Sequence, residues 1–383
     1  MAKTCPFVKA CGGCQQLQIP YHKQLEQKQQ TIEKLMAPYG KCQSIIGMEE
    51  PYHYRNKAIA TFAPVGKNKF LLGIYAKNSH KVVPVKDCLL QDESLNQVLE
   101  SVAAAAAECH LQAYDEDRRS GLLRHVVLRS SKESGEVLCT IVTAQPNFPG
   151  SSNFVKALRK RSPQVSSVVQ NINPAKTSAV LSPYYKVLYG SGYIVDKLCG
   201  LSFSLSSRSF YQVNPVQTEK LYNKAMELAQ LSGSERVLDT YCGIGTIGLC
   251  AAPHCKEVVG VEINGDAVRD AIFNAKRNHI KNARFVEGDA THFMSELAAQ
   301  GETVDVVFMD PPRSGSTPEF LKAAAKMAPK KIVYISCDPH TQARDLSLIT
   351  KLGYDVKTIH PVDLFPHTDH CENIVLLCKG KTK

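Results

Sequence analysis

From Ser206 onward, apolar runs of strand length alternate with helical segments, and this alternation limits the fold more than any other feature of the chain. Strands are predicted at 236–239, 257–262, 283–287, 304–310, 331–336, 354–360 and 373–378. Helical segments between the first five imply a mostly parallel sheet covered on both faces. Such sheets bind ligands beyond the carboxyl ends of their strands, near the switch in strand order. Asp239, Glu262, Asp310 and Cys337 all fall at those ends.

Charge separates the two halves. Of 46 Lys and Arg and 36 Asp and Glu, residues 1–205 hold 25 and 15, and residues 206–383 hold 21 and 21. The formal excess of +10 therefore lies in the front half, which suits a polyanion held by one half and processed by the other. No apolar run approaches membrane-spanning length and the first residues carry no signal-peptide pattern, so a soluble cytoplasmic protein without a membrane partner is expected. In that reducing setting the 14 cysteines are expected to be metal ligands, catalytic thiols or packing, not a disulfide scaffold.

Three of those cysteines, Cys5, Cys11 and Cys14, lie within ten residues, and Cys88 is a fourth candidate. This clustering points to a metal or cluster site, with Gly12 and Gly13 letting the backbone fold tightly. Spacing does not separate zinc from an iron–sulfur cluster, because thiolates suit both.

A helix with a thin apolar stripe is expected over 20–36. Residues 55–197 then mix strands at 57–62, 70–75, 122–130, 136–143 and 165–172 with helices at 91–107 and 153–160. This α+β segment carries Arg55, Lys57, Lys67, Lys69, Arg118, Arg119, Arg124, Arg159, Lys160 and Arg161, without a signal for which of them meet a ligand.

The loop after the first rear-half strand runs Asp239-Thr240-Tyr241-Cys242-Gly243-Ile244-Gly245-Thr246-Ile247-Gly248. Its glycine spacing matches a dinucleotide fingerprint, so an NAD enzyme is one reading. S-adenosylmethionine is the other. Asp239 stands where it would pair with a cationic amine and would be a poor neighbour for a pyrophosphate. Gly243, Gly245 and Thr246 are the loop's candidate cofactor residues, Glu262 suits ribose hydroxyls and Asp289 the adenine edge. Strand-end capping is the structural alternative for both acids.

Further on, Asp310-Pro311-Pro312-Arg313 precedes a strand that ends at Ser336-Cys337-Asp338-Pro339. An Asp-Pro-Pro followed by an aromatic residue marks enzymes that methylate exocyclic amines. Arg313 in that place, with a thiol after the next strand, points to carbon instead. C5 of uracil is a poor nucleophile, and a thiolate adding to C6 creates an enolate whose C5 can attack a methyl sulfonium. A base must then remove the C5 proton.

With these blocks together, the chain resembles the RNA uracil C5 methyltransferases. The likeness rests on the cysteine quartet, Tyr54-Arg55-Asn56-Lys57, Phe210-Tyr211-Gln212-Val213-Asn214, the glycine loop, Asp310-Pro311-Pro312-Arg313, Ser336-Cys337-Asp338-Pro339, and Phe365-Pro366-His367-Thr368-Asp369-His370-Cys371-Glu372. It implies Cys337 as nucleophile and Glu372 as proton-abstracting base. It further implies an S-adenosylmethionine site lined by Gln212, Tyr241, Glu262 and Asp310, and a [4Fe-4S] cluster on Cys5, Cys11, Cys14 and Cys88.

The cluster belongs to members acting on 23S ribosomal RNA, whereas the transfer RNA branch usually lacks it. The expected architecture is a Rossmann-like class I methyltransferase domain at 206–383 preceded by an iron–sulfur and RNA-binding α+β domain at 1–205, with helix 20–37 packing on the catalytic domain. A monomer is expected, and four residues before Cys5 are read as leaving no room for the oligonucleotide-binding β-barrel of many relatives. Thr240 replaces a usual Leu, and Cys371 a usual aliphatic residue. Rival readings are a transfer RNA uracil methyltransferase, an RNA-binding assembly factor on a worn methyltransferase fold, and an NAD-dependent iron–sulfur redox enzyme. Phe210 and Tyr211 are candidates either for stacking on a flipped base or for the core. His367 and His370 are expected to make ordinary hydrogen bonds.

Overall fold

The computed structural model describes residues 3–66 and 69–380; Lys67, one of the basic residues singled out above, lies outside them. In chain order the helices are α1 (Val8–Cys11), α2 (Tyr21–Met36), α3 (Glu93–Glu108), α4 (Ser151–Arg161), α5 (Pro215–Ala229), α6 (Thr246–Ala251), α7 (Gly265–Arg277), α8 (Ala290–Ala299), α9 (Pro318–Met327) and α10 (Pro339–Ile349). The contacts gather into two compact units. Unit 1 comprises Met1–Gln18, Glu50–Lys197 and Ser204–Arg208, and unit 2 comprises Ile19–Glu49, Leu198–Phe203 and Ser209–Lys383.

Unit 1 is built on strands β1 (Lys57–Pro64), β2 (Phe70–Tyr75), β3 (Val82–Val83), β4 (Leu123–Ser130), β5 (Val137–Thr143), β6 (Val165–Ile172) and β7 (Tyr185–Tyr189). They pair in the order β3-β2-β1-β4-β5-β6-β7, with β7 outermost. Period-2 alternation sends Ala58, Ala60, Val126, Leu128, Cys139 and Ile141 to one face. There they meet Leu95, Val98 and Val102 of α3 and Phe154 and Leu158 of α4 in one apolar core. The other face carries polar groups, because Lys57 stands opposite Arg129 and Thr61 opposite His125. The chain leaves this unit through a hairpin of β8 (Tyr193–Leu198) and β9 (Leu201–Ser206).

Unit 2 contains β10 (Arg236–Thr240), β11 (Glu257–Glu262), β12 (Ala283–Glu287), β13 (Val306–Met309), β14 (Lys331–Ser336), β15 (Tyr354–Val362) and β16 (Glu372–Lys379). Their order is β12-β11-β10-β13-β14-β16-β15, the seven-stranded α/β arrangement of a Rossmann-like methyltransferase fold. Strands β10 to β14 are parallel, and β16 runs antiparallel between β14 and β15. Helices that follow strand ends start crisply. Asn214, Thr317 and Asp338 cap α5, α9 and α10, each with Pro at the first helical position. That pairing satisfies an orphan donor and pre-sets the backbone for the first turn.

Helix α2 belongs to unit 2 despite its place near the chain's start. Ile32 and Met36 sit in the core with Leu238, Phe320 and Tyr354, and burying each side chain contributes roughly 1.5–3 kcal/mol. The segment after α2 runs along β15 through bridges Cys42 to Ile359 and Ile46 to Val362. Among the described residues no helix is long and apolar enough to cross a membrane.

Candidate active site

Strand order reverses between β10 and β13, and beyond the carboxyl ends of these strands opens a cavity of about 630 Å³. Its wall includes Gln212, Tyr241, Gly243, Thr246, Glu262, Asp289 and Asp310. Cys337 and Glu372 line the same cavity. Gly245 does not; it caps α6 at φ 81°, and a Cβ there would meet Phe285 at 2.9 Å. Its contribution is therefore to the turn that opens the floor.

The turn is held by its neighbours. Gly243 N–H donates to Glu262 Oε2 at 3.0 Å and Asn264 N–H to Oε1 at 2.9 Å. Glu262 is thus fixed at the end of β11, and each oxygen retains a lone pair for a ligand hydroxyl. Tyr241 takes a left-handed φ of 63°, and its ring packs on Phe320 with centroids 5.6 Å apart. Asp289 both lines the cavity and caps α8, accepting from His292 N–H at 2.9 Å. Tyr222 of α5 hydrogen-bonds Thr246 Oγ1 at 3.0 Å, and with Ile263 completes a wall that no sequence signal announced.

Asp239 corrects a sequence expectation. Its carboxylate is turned inward, is 1 % exposed and accepts from Gly248 N–H at 2.7 Å. Burial raises its pKa to about 8, so it anchors the start of α6 and does not face a ligand amine. Asp310, just past the end of β13, does reach the cavity, as Glu262 does, and burial raises it to about 7.

The thiol and its acid partner come together through sheet register. Strands β14 and β16 pair antiparallel as far as Ser336 with Asn373, so Cys337 follows the end of one strand where Glu372 begins the other, and both line the cavity. Ser336 Oγ donates to Asp338 O at 3.0 Å and accepts from Asp338 N–H at 3.1 Å, which pins the turn around Cys337. Burial, then the charges of Glu372 and Asp310, push the Cys337 thiol up to about 11, while Arg313 opposes them. Glu372 is 2 % exposed and no described residue donates a hydrogen bond to its carboxylate. Burial and Asp310 hold its pKa well above the usual carboxylate range, against the pull of Arg313.

Neither neighbouring thiol is equivalent. Cys242 lines the cavity but is buried, and desolvation raises its pKa far. Cys371 is buried and turned to Val362 O at 3.5 Å. Cys337 alone of the three is half-exposed. Phe210 is 70 % exposed at the cavity, whereas Tyr211 is buried beside Phe203. His370 lines the cavity with its Nε2 3.5 Å from Arg313, and His367 is buried with Nδ1 3.0 Å from Gln24.

The segment that delivers Phe365, His370 and Glu372 is clamped from α2. Lys28 Nζ donates to Asp363 Oδ1 at 2.7 Å and to Phe365 O at 3.1 Å, with both side chains of the ion pair almost fully buried. Tyr21 donates to Asp363 Oδ2 at 2.9 Å, and Gln24 Oε1 accepts from His367 N–H at 2.9 Å. At the start of α5, Asn214 reaches Leu364 O and Gln217 reaches Asp363 O, both at 3.0 Å. The sequence signal for this clamp was a helix with polar residues that nonetheless bury.

The cysteine quartet lies in unit 1. All four thiols are half-exposed. Burial first, then Cys88, Cys11 and Cys5, raise Cys14 to about 12, so the sulfurs sense one another, with Arg55 opposing. Gly12, at φ 68°, packs so close to Lys77 that a Cβ would lie 2.5 Å from its Cβ. Among the described residues, however, no three His, Cys, Asp or Glu side chains converge as a site for a metal ion.

The chain is similar to known RNA methyltransferases along most of its length. The chain is 41 % identical over 380 residues to an uncharacterized RNA methyltransferase of Halalkalibacterium halodurans, covering 97 % of this chain and 82 % of that one. It is 40 % identical over 384 residues to an uncharacterized RNA methyltransferase of Staphylococcus aureus, covering 98 % and 84 %. The crystal structure of Pyrococcus abyssi tRNA (uracil-54, C5)-methyltransferase in complex with S-adenosyl-L-homocysteine superposes with a TM-score of 0.79 at 25 % identity, over 95 % of this chain and 85 % of that one. The fold and these relatives define an RNA methyltransferase. The sequence model of the tRNA (uracil-5-)-methyltransferase family matches residues 186–380, and the chain belongs to that family.

Proposed function

We propose that this protein methylates C5 of a uridine in 23S ribosomal RNA from S-adenosylmethionine, through a covalent adduct on Cys337. The observation that carries the reading is that the ends of β14 and β16 set Cys337 and Glu372 on the wall of one acid-lined cavity. Asp310, Glu372 and Glu262 favour a cationic occupant such as a methyl sulfonium over the pyrophosphate of NAD, which their charges would repel. Glu262, held by two backbone donors, suits ribose hydroxyls, and Asp289 the adenine edge.

In the reaction the Cys337 thiol would lose its proton to solvent and its sulfur bond to C6 of the uracil, the C4 oxygen taking the electron pair as an enolate. When bound, the cofactor supplies the methyl group, which C5 accepts as the sulfonium leaves neutral. The Glu372 carboxylate then takes the C5 proton, the C5–C6 double bond re-forms and Cys337 is expelled as thiolate. Burial makes Glu372 a stronger base once ionised, and the cationic cofactor and Arg313 favour that ionised form. Calorimetric titration with S-adenosylhomocysteine and with NAD tests the cofactor; tight NAD binding would reverse the assignment.

Cys5, Cys11, Cys14 and Cys88 are proposed to hold a [4Fe-4S] cluster that shapes unit 1, since the reaction transfers no electrons. Support comes from the clustering of the cysteines in sequence, thiols that feel one another's charge with Arg55 opposing, and a glycine turn closed on Lys77. Anaerobic purification should yield iron and sulfide, and a zinc-containing colourless protein would reject the cluster. The quartet supports ribosomal RNA as substrate, and the likeness to the archaeal enzyme supports transfer RNA as the second reading. Mass spectrometry of both RNA pools from a strain lacking this protein decides between them.

A further inference from the structure

Most of the chain's charge excess is concentrated in one stretch. Residues 151–200 hold seven Lys and Arg against a single acid, Asp196, which is fully buried. Arg161 is neutralised by Glu108 and Lys197 by Glu133. Lys156, Lys160, Lys176 and Lys186 are exposed and pair with no carboxylate among the described residues.

The same stretch contains β7, the outermost strand of the unit 1 sheet. Tyr184 is 67 % exposed and Tyr185 60 %, and neither ring packs on another ring among the described residues. A buried guanidinium organises the sheet end where they emerge. Arg124 donates to Asn173 O at 2.7 Å, to Ala175 O at 2.8 Å and to Glu116 Oε1 at 2.7 Å. This ties two loops together around a shallow hollow of about 170 Å³ lined by Arg119 and Lys176, whose one carboxylate, Glu116, is already engaged by Arg124. Ile172 N–H donates to Tyr184 O at 2.8 Å, which brings the tyrosines to this same end.

We propose that the outer edge of unit 1, along β7 and the adjoining hollow, docks a single-stranded segment of the substrate RNA. Bases stack on Tyr184 and Tyr185, and phosphates lie against Lys186, Lys176 and Arg119. The proposal rests on RNA as the substrate of this enzyme and adds where, outside the cavity, that RNA is gripped. Two adjacent solvent-facing aromatic rings among uncompensated lysines match a stacking platform beside a cationic track. A second protein strand fits less well, because charged side chains such as Lys186 discourage edge-to-edge pairing.

The experiment measures binding of a fluorescent uridine-rich single-stranded RNA to the full chain as isolated. Tyr184→Ala with Tyr185→Ala should raise Kd by about tenfold or more for each ring lost. The same variant should raise KM for RNA and leave both kcat at saturating RNA and S-adenosylhomocysteine binding unchanged. Tyr184→Phe with Tyr185→Phe should restore the affinity. Lys176→Gln with Lys186→Gln should make the slope of log affinity against log salt shallower by about 1.4. Unchanged affinity and slope overturn the proposal. A variant that alters the sedimentation coefficient but not RNA binding also overturns it, assigning the edge to a second copy. If the unaltered protein binds RNA through these residues yet transfers no methyl, the docking surface stands and the enzymatic reading fails. If methylation proceeds and the variants are silent, the reverse holds.

Discussion

The two units differ in the carboxylate, lysine and histidine side chains that burial shifts most. In unit 1 they are basic: half-buried Lys57, facing Arg129 across β1 and β4, is lowered by desolvation to about 8, and His125 to about 4. In unit 2 they are acidic: burial raises Asp239 to about 8 and Asp310 to about 7, and lifts Glu372 well above its usual range. Burial disfavours the charged form in both units, and a ligand of opposite sign beside such a group restores it. Of these groups Asp310 and Glu372 line the unit 2 cavity, where a cationic donor would favour their ionised forms.

The sharpest way to break this contrast is to remove the thiol. Cys337→Ala should lower turnover by about 10⁴-fold or more, as losing a covalent nucleophile does, while RNA affinity and S-adenosylhomocysteine binding persist. Methyl transfer that survives would take Cys337 out of the reaction. Next in size, Glu372→Gln should lower turnover about 10²- to 10⁴-fold and leave RNA attached to the protein through denaturing electrophoresis, because elimination lacks its base. No such adduct on a folded variant would exclude Glu372 as that base.

Lys28 is the exception within unit 2, a buried cation fully met by Asp363. Lys28→Met should destabilise the protein by about 3–5 kcal/mol, since it strands the Asp363 charge. Adding Asp363→Asn should recover part of the loss in a thermal melt; a double variant no better than the single would argue against the pair. The smallest effect concerns pH. Asp239 and Asp310 have raised pKa values, so the folded state keeps protons that the unfolded chain releases, and stability falls between about pH 4 and pH 8. His125 is lowered from 6.5 to about 4, so its contribution is lost as pH falls through that interval. Melting curves of the ligand-free protein should show the first slope, and Asp310→Asn should flatten it. An unchanged slope would mean that Asp310 does not titrate there.

Much of unit 2 was legible because parallel strands buried on both faces are written as short apolar runs ending in acids, glycines or Cys337. What could not be read was direction. Nothing in the residues of β16 says that it runs antiparallel beside β14, yet that register brings Glu372 to Cys337. The spacing of Asp239 likewise hid which way its carboxylate turns, a matter settled by Gly248 N–H. In unit 1, β7 escaped notice because its first residues face solvent and lack the alternation that marks a half-buried strand. Helix α2 was expected to pack on the catalytic domain through its thin apolar stripe, but nothing in the sequence marked Gln24 and Lys28, which are buried against the segment before β16.

That helix has a consequence for how the chain is made. Its partners lie 335 and 343 positions further on, so Gln24 and Lys28 wait through the synthesis of all that lies between. The methyl-transfer unit therefore cannot close until residues 363–367 have left the ribosome. A fragment beginning at residue 206 would be born without a part of its own interior.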